Sequence, residues 1–314
     1  MEIANPIYDV VFKYLMEDGK IAKLIISSII GEDISELTFL PSEFSTDIQK
    51  PEGTENLKLK KKTKKSKTIY RLDFSAKIKT PEGYKQVIIE IQKAKFAADI
   101  MRFRRYLAGQ YADKENTQII PVGKRNRKFG IPIVSIYFLG HKLESTKSSI
   151  IGIKRTYYDL VTGQEIKVKE PFIESLTHDS YVIQIPTLTK KRRNDLETLL
   201  SIFDQSMVID NEHHILSIKE EEYPEKYRLV IRKLQIAIQN PQIKKIMILE
   251  DDILDEWADL DRENEVLTIE NELVKNENEQ VKNENEIIKN EKERIEKENE
   301  ILKKRLEELE KLKK

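Results

Sequence analysis

The sequence predicts an α/β fold: a mixed sheet flanked by helices, followed by a helical extension and a long C-terminal coiled coil. Three observations carry this. Apolar residues recur at helical spacing at positions 7, 10, 11, 14, 15, 21, 24 and 25. Two β-rich segments meet at the tight turn Thr80-Pro81-Glu82-Gly83. Aliphatic residues then stand seven apart without a break at 267, 274, 281, 288, 295, 302 and 309. The expected divisions are a core over 1–145, a mixed and helical extension packed on it over 146–260, and the coil over 261–314.

Taken in order, Asn5-Pro6 opens the first helix as N-cap and first helical residue, Gly19 divides it in two, and Gly31 ends the run. Residues 34–44 read as a short strand and its turn. Strands over 69–79 and 84–93 flank the tight turn, a helix covers 96–112, and the apolar run 131–139 is a buried strand. Beyond it, 151–158 and 166–168 read as strands around Thr162-Gly163, and 196–203, 227–239 and 243–259 as helices. In the coil, the aliphatic set takes heptad position d. The a positions are Asn264, Asn271, Asn278, Asn285, Lys292, Asn299 and Leu306. Polar a layers cost stability and specify register, and Asn there favours two parallel strands, so the expectation is a homodimer through 261–314. A lone solvated helix rich in Glu–Lys pairs is the alternative.

Charge is unevenly distributed. Residues 261–314 hold 13 Lys+Arg against 17 Asp+Glu, and residues 1–260 hold 42 against 38, so a body of net +4 precedes a tail of net −4. That excess is too small to specify nucleic acid by itself. The absence of cysteine excludes disulfides and thiolate metal sites and fits a reducing compartment. No basic segment followed by an apolar run opens the chain, and the apolar stretch 21–30 is too short to span a bilayer. The expectation is a soluble cytoplasmic protein without a membrane partner. No Gly-rich phosphate loop is present, so no nucleotide cofactor is expected.

The chemistry gathers on the hairpin. With Pro81 and Glu82 as the two turn residues, cross-strand partners have numbers summing to 163, which sets Asp73 opposite Glu90. Strand alternation then puts Arg71, Asp73, Ser75, Lys77, Gln86, Glu90 and Gln92 on one polar face. Leu72, Phe74, Ala76, Ile78, Val87, Ile89 and Ile91 form the apolar one. Facing carboxylates repel. A shared Mg²⁺, held by one or two carboxylates with water and substrate phosphate, removes that cost. Asp73 and Glu90 are therefore the candidate metal ligands, the Ile91 carbonyl a third, and Gln92 a group that positions the water or scissile phosphate. An exposed sheet face with scattered charges is the plainer alternative.

Arg71-Leu72-Asp73-Phe74 and Ile88-Ile89-Glu90-Ile91-Gln92 resemble the PD-(D/E)XK nuclease superfamily. Asp9 to Lys13 (D-x-x-F-K), Arg102-Phe103-Arg104-Arg105-Tyr106, Phe172-Ile173-Glu174-Ser175-Leu176 and Glu222 to Arg228 extend the likeness to the Rpn family of recombination-promoting nucleases and transposases, over roughly residues 4–260. The resemblance implies a restriction-endonuclease-like fold and a DNA endonuclease dependent on Mg²⁺, with Mn²⁺ as a substitute, acting in recombination or transposition. It implies Asp73 and Glu90 as metal ligands and brings Asp9 to the same centre as a further catalytic residue, while Lys13 and Arg71 are read as DNA contacts. Gln92 departs from the motif, where Lys is usual, and a neutral amide cannot stabilise extra phosphate charge as a cation would. The alternative is a non-catalytic DNA-binding or scaffolding protein on a degenerate nuclease fold. Alternation turns Lys93 to the apolar face.

Two further groups are candidates for DNA contact. Lys58, Lys60, Lys61, Lys62, Lys64, Lys65 and Lys67 form a self-repelling run that reads either as a strap for phosphates or as a solvated loop. Arg102 and Arg105, three apart on a helix, read either as phosphate contacts or as a solvated basic face. The adjacent His213 and His214 point in different directions, and the sequence places no carboxylate to complete a site with them.

Overall fold

A computed structural model describes residues 1–40, 43–47, 67–71, 73–93, 97–188, 192–209 and 212–312; for 43–47, 67–71, 97–99, 261 and 306–312 it describes the backbone alone. The lysines from Lys58 to Lys65, the side chains of Lys67 and Arg71, and Leu72 lie outside the described residues. Two compact units divide the chain, Met1–Asp252 and Ile253–Lys314.

The first unit begins with β1 (Glu2–Ala4), α1 (Asp9–Met16) and α2 (Gly19–Ile30). The first helix thus starts at Asp9 rather than at Pro6. Asn5 turns instead toward the chain 200 residues on, donating to Gln205 at 2.8 Å and to the His213 carbonyl at 2.9 Å. Asp18 caps α2 by accepting from the amides of Lys20 and Ile21. Gly31, at φ 72°, closes it in the left-handed conformation that a side chain would strain. The buried stripes are Val11, Phe12, Leu15 and Met16 on α1, and Ile21, Ala22, Ile25, Ile26, Ile29 and Ile30 on α2. They follow the helical period.

Strands β2 (Glu36–Phe39), β3 (Glu43–Asp47), β4 (Lys67–Arg71), β5 (Phe74–Thr80) and β6 (Gly83–Gln92) come next. The expected strand over 69–79 is divided: β4 pairs with β3, whereas β5 pairs with β2 and β6. The hairpin register is the one the turn dictates, with Thr80 facing Gly83 and Phe74 facing Ile89. Then follow α3 (Ala97–Ala112), the ribbon β7 (Thr117–Val122) and β8 (Arg125–Gly130), β9 (Ile133–Leu139), β10 (Ile150–Ile153), β11 (Tyr157–Tyr158), β12 (Glu165–Ile166), α4 (Pro171–Glu174) and β13 (His178–Gln184). The unit ends with α5 (Asp195–Leu200), β14 (Val208–Ile209), β15 (Glu212–Ser217), α6 (Arg228–Ile238) and the start of α7 (Pro241–Leu312).

Six strands form the main mixed sheet, in the order β10-β13-β9-β6-β5-β2, with β9 parallel to both β6 and β13. Residues 150–184 therefore complete the sheet rather than pack on it as an extension, and the expected boundary at 145 falls between strands of one sheet. The physical reason is that β9 is buried along most of its length, so the backbone N–H and C=O groups on both its edges need strand partners. One sheet face carries Phe74, Ala76, Ile78, Val87, Ile89 and Ile91 into the core with α1 and α2, where Phe12 and Phe203 pack on Phe138. The other face is roofed by α3, whose Phe103 and Tyr106 cover Ile88 and Ile133. The polar face of the hairpin is thus not an open surface.

In the second unit the helix is unbroken to Leu312. The heptad residues Leu267, Val274, Val281, Ile288, Ile295 and Leu302 are each more than half exposed. No helix among the described residues is long and apolar enough to cross a membrane.

Candidate functional site

Strand β6 delivers Glu90 and Gln92 side by side to the face beneath α3, where both are buried, Glu90 to 2% exposure. Pairing of β5 with β6 stops at Phe74, and Asp73 sits in the bend just before it. There its Oδ2 accepts the Ile91 amide proton at 2.7 Å. The backbone bond that a longer β5 would have made is replaced by a carboxylate. In an antiparallel ladder a residue's N–H and C=O face the same neighbour, so the Ile91 carbonyl also faces this edge.

Helix α1 supplies the other side. Lys13 Nζ lies 2.6 Å from Asp9 Oδ2 and 3.4 Å from Asp73 Oδ1. From α3, Arg102 donates to Glu90 Oε1 at 3.0 Å, while Arg105 lies on the exposed surface. The structure thus brings together Asp9, Lys13, Asp73, Glu90, Ile91, Gln92 and Arg102, and leaves Arg105 apart.

Electrostatics expose the cost of this gathering. Burial, joined by the negative charges of Glu90 and Asp9, pushes the Asp73 carboxyl well above the usual range, with Lys13 acting against them. Burial lifts Glu90 up to about 7 in spite of Arg102. For Lys13, burial would lower the pKa, but Asp73 and Asp9 outweigh it and the ammonium is held charged. Two buried carboxylate oxygens, Asp9 Oδ1 and Glu90 Oε2, have no hydrogen-bond partner among the described residues. Unpaired buried oxygens of this kind are unfavourable unless something else meets them. Among the described residues, no group of three or more His, Cys, Asp or Glu stands in a ligating arrangement. The donor set nonetheless fits Mg²⁺, which takes one or two carboxylates and keeps water on its remaining positions.

Beside Asp73 opens a cleft of about 320 Å³, with Lys13 on its wall and Phe39, Leu40 and Phe74 among its lining. Phe39 is half exposed and meets Phe74 edge to face at 5.8 Å.

Three supporting residues were not legible in the sequence. Tyr137 pairs in register with Glu90 from β9 and packs on Phe103 at 4.1 Å. The alternation of Ser135 and Tyr137 within the apolar run was the available signal. Glu250, in α7, accepts from the amides of Asp9 and Val10 at 3.0 and 2.9 Å. It provides the cap that Tyr8, the N-cap residue of α1, does not. Its neighbour Asp251 accepts from Tyr8 Oη and lies 2.9 Å from His214 Nε2, so a carboxylate does reach His214, from 37 residues away. Lys93 also pairs with Asp251 and rests 3.8 Å over the Tyr8 ring, on the side away from Glu90.

Close approach shapes the exit of β6. The Gly140 amide donates to the Gln92 carbonyl at 2.6 Å. A Cβ at this position would lie 2.2 Å from the Lys93 carbonyl oxygen, so only glycine fits.

Comparison of the chain with family models, curated proteins and solved structures returns no match.

Proposed function

We propose that the chain is a DNA endonuclease dependent on Mg²⁺, with Mn²⁺ able to substitute, of the PD-(D/E)XK type and with a restriction-endonuclease-like core. The observation that carries the reading is the gathering of Asp9, Asp73 and Glu90 at the end of β6, with buried oxygens of Asp9 and Glu90 unpartnered among the described residues. Asp73, Glu90 and the Ile91 carbonyl would hold the ion. When bound, it supplies a water of lowered pKa and shields charge developing on phosphate. Lys13 offers the cation that Gln92 lacks: its ammonium borders Asp73 and the cleft, where it can meet the phosphate. Gln92 hydrogen-bonds the water or phosphate from the Glu90 face. Arg102 holds Glu90 in place. A role in recombination or transposition accords with the resemblance in the motifs.

The coil supports action as a homodimer. Position g is Glu at 263, 270, 277, 284, 291 and 298, and position e is Lys at 275, 282, 289 and 303. Parallel strands pair g with e of the next heptad and attract, whereas antiparallel strands pair Glu with Glu. The reading is therefore a parallel dimer, whose two sites can cut both strands of a duplex.

A second reading, a non-catalytic DNA-binding or scaffolding protein, is favoured by a different observation. Lys13 and Arg102 already neutralise much of the carboxylate charge. Nicking of supercoiled plasmid with and without Mg²⁺ separates the two. The nuclease reading expects metal-dependent nicking by the wild type and a loss of at least 100-fold in Asp73→Ala and Glu90→Ala. Wild-type rates in either variant would sink it. No nicking in any metal, with DNA binding retained, would establish the second.

A further inference from the structure

We infer that the β7–β8 ribbon is an arm that grips the phosphate backbone of duplex DNA. No Asp or Glu occurs from 116 to 143, and within this acid-free stretch Lys124, Arg125, Arg127 and Lys128 crowd into five positions. The structure sets Lys124 and Arg125 at the tip of the ribbon, with Arg127 two rungs and Lys128 three rungs below Arg125. Val122 faces Arg125, so Gly123 and Lys124 form a two-residue turn, with Gly123 at φ 61°. Residues 121–128 are exposed without interruption, and no carboxylate engages the four cations among the described residues. Arg125 and Arg127 share one ribbon face, about 7 Å apart. Lys128 lies on the other, beside Ile119.

The ribbon belongs to neither the core nor the main sheet. It is a separate two-stranded sheet, closed at its root where the Ile131 amide donates to the Asn116 carbonyl at 3.1 Å. Six-residue strands give it a reach of about 20 Å. B-DNA's major groove, about 12 Å wide, admits a two-stranded ribbon. The root lies where β9 begins, at the level of Gln86. That is four residues, or about 13 Å, along β6 from Glu90. One duplex turn is about 34 Å, so a duplex with a phosphate near Glu90 has phosphates up to about one turn away within the arm's reach.

Anionic membrane is the other surface that attracts a basic tip. Interfacial anchoring needs apolar groups on one side. Here the exposed Ile119 and Val122 lie on opposite ribbon faces. The observations favour nucleic acid, and the choice of duplex DNA rests on the nuclease reading.

The test is fluorescence anisotropy of a labelled DNA duplex with the full chain in EDTA, over a series of NaCl concentrations. Wild type is compared with the variant carrying Lys124→Gln, Arg125→Gln, Arg127→Gln and Lys128→Gln. The same titration with Arg125→Gln and Arg127→Gln alone covers failure of the fourfold variant to fold. The arm predicts at least tenfold weaker binding for the fourfold variant at moderate salt. It also predicts a log–log salt slope shallower by about 2 to 4, since each phosphate contact contributes about 0.9. Unchanged affinity and slope in both variants would overturn it. So would sedimentation with phosphatidylserine vesicles that depends on the four cations while duplex binding does not. If wild type nicks no plasmid but the ribbon still sets the salt slope, the nuclease reading fails and the arm stands. If wild type nicks and the variants bind as it does, the arm alone fails.

Discussion

Glu90 is buried on a sheet face beneath a helix, and that burial lifts its carboxyl from the usual 4.5 to about 7. The sign of the consequence follows from proton linkage. Between these values the folded chain keeps a proton that the unfolded chain has released, so stability falls as pH rises across the window and levels off above it. The shift corresponds to something on the order of 3 kcal/mol. In EDTA, the melting temperature of the wild type should fall relative to that of Glu90→Gln between pH 5 and 7.5, by roughly 5 to 10 °C. Parallel curves for the two proteins would show that Glu90 does not titrate there. Mg²⁺, which favours the ionised pair, should restore part of the loss at the upper end. Part of this scale was legible beforehand: turn geometry fixed the hairpin register as far as Phe74 opposite Ile89, whereas the expected pairing of Asp73 with Glu90 is not made, because the strand ends before Asp73 and its carboxylate accepts the Ile91 amide instead. The partners Tyr137 and Arg102 were less so. A strand's neighbour across a parallel sheet, and the direction in which a helix roof turns its arginines, are set by tertiary packing that no local spacing encodes.

Helix α1 is short, and its own N-cap residue offers no side-chain acceptor. The carboxylate of Glu250 takes the amides of Asp9 and Val10 instead. A cap supplied from 240 residues away fixes the helix that presents Asp9 and Lys13 to Asp73. Glu250→Ala should cost about 1 to 2 kcal/mol, as cap removal does elsewhere. It should also lower cleavage more than that loss of stability explains, because Lys13 loses its fixed approach. Thermal unfolding and plasmid nicking on the same preparation check both parts, and full nicking activity in a destabilised variant would show that α1 needs no such anchor. Elements with strong periodicity were readable: α2, β6, α3 and β9 stand close to their expected places. The start of α1 was misplaced because Asn5-Pro6 carries a helix-start signal locally, while Asn5 is drawn off by Gln205 and the His213 carbonyl. The β7–β8 ribbon was missed because its strand β8 is nearly all polar and basic, with no alternation to mark it.

For the whole molecule, the uncovered heptad seam and the main sheet make separate demands. Residues 261–314 should sediment as a parallel dimer at rising concentration, weakly for its length because most a layers are polar. Sedimentation equilibrium reads the dimer mass directly, and a persistent monomer would exclude self-association through the seam. The long helix was legible from its period alone, whereas the division at 145 was not. Strand β13 enters between β9 and β10 from beyond that point, and nothing in a strand's own residues states which neighbour it will find. The same topology sets a schedule for synthesis. Among the described residues, strand β1 pairs with β15 alone, residues 2–4 with 215–217. At ribosomal rates of about 5 to 20 residues per second, those first residues wait roughly 10 to 40 s for their partner. Until then the apolar faces of α1 and α2 have no completed core to enter, so the earliest part of the chain to be made is among the last to be fully buried.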